Sequence, residues 1–248
     1  VVAWLNRPGA PNRIVVREGF PDRRKPEPVL VAGIGDNHDV RPRPTIMVNH
    51  GAGQSYGGDA RAKGHASYVG GPERERVLLH LEPGPLAARA AESAGHPYVE
   101  VGSPRLDRYH DGSRCMDHEP LTVALAFHPT GGHGCPEART ALPHYLDALC
   151  ALRNAHYALV GHGHPRSWAK HSHWWQQAGF HVEPDFAKVL DTADVLVTDN
   201  SSVGPEFAST GRPIVLCSAP WYRRDVVHQG RFWSWPEHCL HVEEPDQL

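Results

Sequence analysis

Apolar residues follow two rhythms along this chain. From residue 121 onward, short apolar runs alternate with stretches whose apolar positions recur at helical spacing. The runs at 121–127, 157–160, 180–182, 195–198 and 214–217 are expected strands, and the unbroken apolar run at 195–197 reads as a buried one. Between the first two, Ala138, Ala141, Leu142, Tyr145, Leu146, Leu149 and Leu152 mark one face of an amphipathic helix. A second helix is expected over 167–178, with Ser167 as cap and Gly179 as stop. A short helix capped by Asp185 should run to Ala193, and another from Pro205 to Ser209, ended by Gly211-Arg212-Pro213. Strands alternating with helices predict a parallel sheet covered on both faces.

The first half is less regular. Strands are expected at 13–17, 29–32, 45–49, 66–69, 77–80 and 98–101, with an Ala-rich helix over 86–94 stopped by Gly95. Residues 107–120 hold few apolar side chains and read as a linker. The expected organisation is therefore two α/β domains, residues 1–112 and 113–248. No repeat with a period of 20–50 residues is visible.

Composition narrows the partners. The 248 residues are 40% hydrophobic and 21% charged, enough to build a core. A net charge of −3 argues against a generic polyanion binder, although Arg13, Arg17, Arg23, Arg24 and Lys25 form a local basic cluster. Five scattered cysteines, an odd number without a C-x-x-C pair, suit reduced thiols in a cytoplasmic protein. No apolar run approaches the roughly 18–20 residues of a membrane span, and no signal peptide opens the chain, so no integral membrane contact is expected. The 19 histidines are spread out and form no zinc-hydrolase motif, so no metal is expected. Gly33-Ile34-Gly35 lacks the third glycine of the dinucleotide fingerprint and reads as a turn, so no NAD or other cofactor is expected.

The candidate chemistry gathers where expected strands end. The strand at 195–198 runs into Asp199-Asn200-Ser201-Ser202 and then a helix, which places backbone N–H groups and two hydroxyls at a strand's carboxyl end. Open parallel sheets bind ligands there, and a helix N-terminus favours an anion. The same residues also suit a plain helix cap. Glu206, in the first turn of that helix, can accept from ribose hydroxyls or simply complement the helix dipole. In the first half, Asn49-His50-Gly51-Ala52-Gly53 closes a strand with a histidine and two glycines. A histidine so placed is either a general base or a structural group bonded to a loop carbonyl. His162-Gly163-His164-Pro165 is either a phosphate donor site or a turn with solvated histidines. Thr130, with Gly131, Gly132 and Gly134, forms either a backbone concavity for phosphate or a flexible loop. Arg105 can hold a phosphate or pair with Asp107. Trp221, Trp233 and Trp235, near the C-terminus, can pack or stack on a base or sugar.

In order, His50-Gly51, Gly102-Ser103-Pro104-Arg105-Leu106-Asp107, His164-Pro165 and Thr198-Asp199-Asn200-Ser201-Ser202-Val203, followed by Glu206-Phe207 and Arg212-Pro213-Ile214, resemble the CDP-glycerol glycerophosphotransferase family. The chain departs from the family's motifs at Leu106, where the family has Asn, and at Asn200, where it has Tyr. The resemblance implies a GT-B-like α/β fold, two Rossmann-like domains whose parallel sheets face an interdomain cleft. It implies a nucleotide-diphosphate donor, CDP-glycerol or a nucleotide-sugar, held by the C-terminal domain and an acceptor on the N-terminal side. His50 maps to the catalytic base and His164 to a catalytic position at the phosphates. Thr130, Asp199, Ser201, Ser202 and Glu206 are the expected donor-binding residues, and Gly51, Gly53 and Arg105 are expected to line the cleft. The acceptor hydroxyl is left open among a polymer, a small molecule and a nucleic acid. Two other classes fit the same scaffold: an NDP-sugar epimerase or hydrolase, and a non-catalytic nucleotide-sugar binding module.

Overall fold

The computed structural model describes residues 29–32, 44–48, 77–93, 95–103, 106–109, 119–129, 139–222 and 239–248. The expected strands at 13–17 and 66–69, and the site residues His50, Gly51, Gly53, Arg105 and Thr130, lie outside them. Contacts divide the chain into two compact units, and over the described residues the first runs to Arg108 and the second from Tyr109.

The first unit carries β1 (Val29–Ala32), β2 (Thr45–Val48), β3 (Val77–Glu82), α1 (Pro85–Ser93) and β4 (Tyr98–Glu100). Its four strands are parallel and lie side by side in chain order. Parallel neighbours need a crossover, and α1 supplies the one between β3 and β4. Ala87, Ala88 and Ala91 form its buried face, small enough to let the helix lie close to the sheet. Gly95 stops the helix as expected. At φ +72° it takes the left-handed turn that lets His96 N–H bond back to the Ala91 carbonyl.

The second unit holds β5 (Leu121–Phe127), α2 (Leu142–Ala151), β6 (Tyr157–Gly163), α3 (Trp168–Gln177), β7 (His181–Val182), α4 (Phe186–Thr192), β8 (Val195–Thr198), α5 (Val203–Ala208), β9 (Ile214–Cys217) and β10 (Leu240–Val242). The strands form one parallel sheet in the order β10-β9-β8-β5-β6-β7. The chain thus builds outward from β5 through β6 and β7, then returns to place β8 on β5's other side. The strand order reverses between β5 and β8.

The helical spacing read from the sequence is visible in the packing. Ala141, Leu142, Tyr145 and Leu149 are all fully buried, and the Tyr145 hydroxyl donates to the Val242 carbonyl at 2.9 Å, tying α2 to β10. Full burial of each leucine contributes about 1.5–3 kcal/mol. Arg212 is a buried strut: its guanidinium donates to the Leu190 and Ala193 carbonyls at the end of α4 and lies 4.8 Å over the Phe207 ring. It satisfies carbonyls that a helix end leaves unpaired.

Two expectations change. β6 does not stop at Val160 but continues through His162 to Gly163, paired with β5 up to Phe127. The glycines are there for packing. A Cβ on Gly161 would lie 2.2 Å from Trp175, and one on Gly163 2.7 Å from His171. Their bare backbone lets α3 settle directly on the strand, and Trp175 donates its indole N–H to the His162 carbonyl at 3.0 Å. The second change concerns Ser167, which makes no side-chain cap. The chain enters α3 through a 3-10 turn, Pro165–Ser167, capped instead by the His164 ring, which accepts from Arg166 N–H at 3.1 Å.

Candidate functional site at the strand-order reversal

Where strand order reverses, the two neighbouring chains leave the sheet in opposite directions, and a crevice opens at their carboxyl ends. In the second unit that point is the pair of exits from β5, at His128, and from β8, at Asp199. Three of the segments singled out in the sequence come to this edge: the β5 exit, the β6 exit at His164, and Asp199 to Ser202.

Asp199 organises it. The residue is fully buried, and its two carboxylate oxygens each accept from the main chain at 2.8 Å, one from His128 N–H and one from Ala141 N–H. One carboxylate therefore pins the β5 exit and the start of α2 to the end of β8. Burial pushes the Asp199 carboxyl up to about 6, against the opposing pull of the Ala141 and His128 N–H groups and the Thr140 hydroxyl. The sequence reading counted Asp199 among the donor-binding residues; here it acts on the edge by positioning two loops. Below it, the Thr198 hydroxyl donates to the Ala126 carbonyl, a second tie between β8 and β5.

Ser201 and Ser202 follow directly. Ser202 occupies the cap position of α5 but has helical backbone angles and makes no side-chain capping bond. Among the described residues, the plain cap that a Ser-Ser turn first suggests is therefore not how this hydroxyl is used. Glu206 lies in the first turn of α5 and is 8% exposed.

The β6 exit presents three histidines of different character. His162 is not a solvated turn residue. It is buried within the strand, with Nδ1 2.8 Å from the Glu183 carbonyl, and burial lowers its basicity. His171 is fully buried against Gly163, and burial, with Lys170, His162 and His164 nearby, lowers it to about 4. Both rings are neutral near pH 7. His164 is half-buried. Because its Nδ1 accepts from Arg166 N–H, the neutral ring carries its proton on Nε2, a donor suited to a phosphate oxygen.

The sequence did not single out Arg139 or Tyr222. The Tyr222 hydroxyl, beyond the β9 exit, donates to the Arg139 carbonyl at 2.7 Å, bringing a fourth strand exit to the same edge. Nothing local signals this bond, which spans 83 residues. Among the described residues no cluster of three or more His, Cys, Asp or Glu is placed to hold a metal ion. No described helix is long and apolar enough to cross a membrane.

No family model matches the chain. No curated protein matches it either. Solved structures do share its fold. The chain is similar to the structure of the wall teichoic acid polymerase TagF, with a TM-score of 0.52 and 17% identity over 84% of this chain and 58% of that one. The TagF H444N variant soaked with CDPG gives a TM-score of 0.52 and 16% identity over 82% and 56% of the two chains. A putative UDP-N-acetylglucosamine 2-epimerase from Listeria monocytogenes gives a TM-score of 0.47 and 14% identity over 76% and 56%. The chain thus spans a little over half the length of the TagF structure it matches. The fold is that of the glycerophosphotransferase family to which the sequence motifs pointed.

Proposed function

We propose that the protein is a GT-B transferase that moves a glycosyl or glycerophosphate group from a nucleotide-diphosphate donor to an acceptor hydroxyl. The observation that carries this reading is the strand-order reversal at β5 and β8, where Asp199 assembles the loops and Ser202 stands at a helix start without capping it. The likeness to TagF in fold, and the motifs shared with its family, supply the class of reaction. In this reading the second unit holds the donor and the first unit holds the acceptor, with transfer in a cleft between two Rossmann-like domains. Ser201, Ser202 and Thr130 bond the phosphates, and Glu206 bonds the ribose. The His164 Nε2–H donates to the charge that grows on the leaving phosphate. His50 removes the acceptor proton, the acceptor oxygen attacks the activated phosphorus or anomeric carbon, and the nucleotide leaves with the bonding pair.

The Ser201→Ala/Ser202→Ala double variant should keep its melting temperature and lose roughly 1–3 kcal/mol of donor affinity, the scale of hydrogen bonds to a charged group. Isothermal titration with CDP-glycerol, UDP-sugars and GDP-sugars measures this directly. Wild-type affinity in the folded double variant removes the serines from the donor site.

A further inference from the structure

An exposed arginine that none of the sequence motifs includes stands at the start of α2, beside the β8 and β9 exits. Arg139 sits two residues before Ala141, the residue whose N–H is fastened to buried Asp199. Its carbonyl accepts from the Tyr222 hydroxyl at 2.7 Å. Its guanidinium lies 5.3 Å over the Trp221 ring. Trp221 is itself held in place: His144 meets it edge-on with ring centroids 6.1 Å apart, and Tyr222 does so at 6.1 Å. The main chain is thus anchored from β9 at Arg139 and from β8 at Ala141, and the Arg139 head lies over a held aromatic ring.

An exposed arginine ordinarily keeps much of its rotamer freedom. Giving that up in advance is what a binding site does when it is built for a particular anion. The planar guanidinium matches phosphate oxygens in pairs, and stacking on an indole leaves its N–H edge available for them. Ser201 and Ser202 are neutral, and burial lowers the basicity of His162 and His171. A nucleoside diphosphate carries at least two negative charges, which hydroxyls and neutral imidazoles do not neutralise.

We propose that Arg139, clamped by Trp221 and Tyr222, is a donor-binding residue that pairs with the diphosphate of the nucleotide. The inference rests on the transferase reading and adds to it a cation on the donor side. Arg139 is exposed, so its replacement leaves the core intact. Titration of wild type, Arg139→Ala, Arg139→Lys and Trp221→Leu with CDP, UDP and GDP, and with cytidine, uridine and guanosine, tests it. The expected result is a diphosphate affinity lower by about 10- to 100-fold in Arg139→Ala, with nucleoside affinity unchanged. Arg139→Lys should recover only part of the loss, because an ammonium neither stacks nor pairs in a plane. Trp221→Leu should fall between wild type and Arg139→Ala. Equal diphosphate affinity in Arg139→Ala and wild type overturns the inference and leaves the transferase reading standing. A wild type that binds none of the diphosphates overturns both.

Discussion

His50→Ala should lower turnover by about 10²–10⁴-fold while donor affinity stays within about twofold of wild type. An acceptor hydroxyl is a poor nucleophile near pH 7, and a positioned imidazole, with an ordinary pKa near 6.5, is the side chain suited to take its proton there. In the sequence, His50 follows β2 by two residues. The proposed donor residues all belong to the second unit, so the proposal separates the two effects. His164→Ala should instead weaken donor binding and turnover together, because the proposal has its Nε2–H donate to the phosphate. Steady-state kinetics at saturating donor, set beside donor titration, distinguish the two variants. Near-wild-type turnover in His50→Ala leaves it a loop residue and the base unassigned.

The other large effect belongs to Asp199. Asp199→Ala should cost about 3–5 kcal/mol of stability, because it strands the buried N–H groups of His128 and Ala141 together. Against a typical total of about 5–15 kcal/mol, the second unit loses a large part of its margin. Asp199→Asn isolates the charge. The folded carboxyl is raised to about 6 from the 3.8 of an exposed aspartate, so between those pH values the folded chain keeps a proton that the unfolded chain has released. This group's stabilising share is therefore full below pH 3.8 and is lost as the pH rises through about 6. The stability of wild type minus that of Asp199→Asn should fall by roughly 2 kcal/mol from pH 4 to pH 7. Urea unfolding of both proteins across that range measures it. A flat difference means the carboxyl titrates at its ordinary value.

How much was legible depended on how local each signal was. β5, β8 and β9 are buried on both faces, so their apolar runs were visible without any partner in view. The α2 face was visible because Ala141, Leu142, Tyr145 and Leu149 keep helical spacing and all point inward. Asp185 was readable as a cap because its acceptor role needs only Ala187, two residues on. The end of β6 was not readable. Gly161 and Gly163 look like turn residues until Trp175 and His171, from α3, are seen lying on them. β10 was missed because three residues, Leu240–Val242, carry no period of their own and are a strand only beside β9.

The site shows the same division. The sequence placed Ser201 and Ser202 at a strand exit because strand, polar cluster and helix follow one another directly. It did not show that Asp199 is spent on N–H groups 71 and 58 residues away. Nor did it pick out Arg139, whose anchor on Tyr222 spans a comparable distance. Residues that act by joining distant loops leave no pattern in neighbouring positions.

The central claim is that a nucleotide-diphosphate donor is consumed by transfer to a hydroxyl. The most direct measurement is nucleotide release from CDP-glycerol, UDP-sugars and GDP-sugars, with and without glycerol-, sugar- and polymer-based acceptors, with the products identified by mass spectrometry. The account predicts that one donor of the panel yields free nucleotide in proportion to a new acceptor adduct, and little without acceptor. Donor consumed equally with and without acceptor, or converted to an isomer with no nucleotide released, would contradict it.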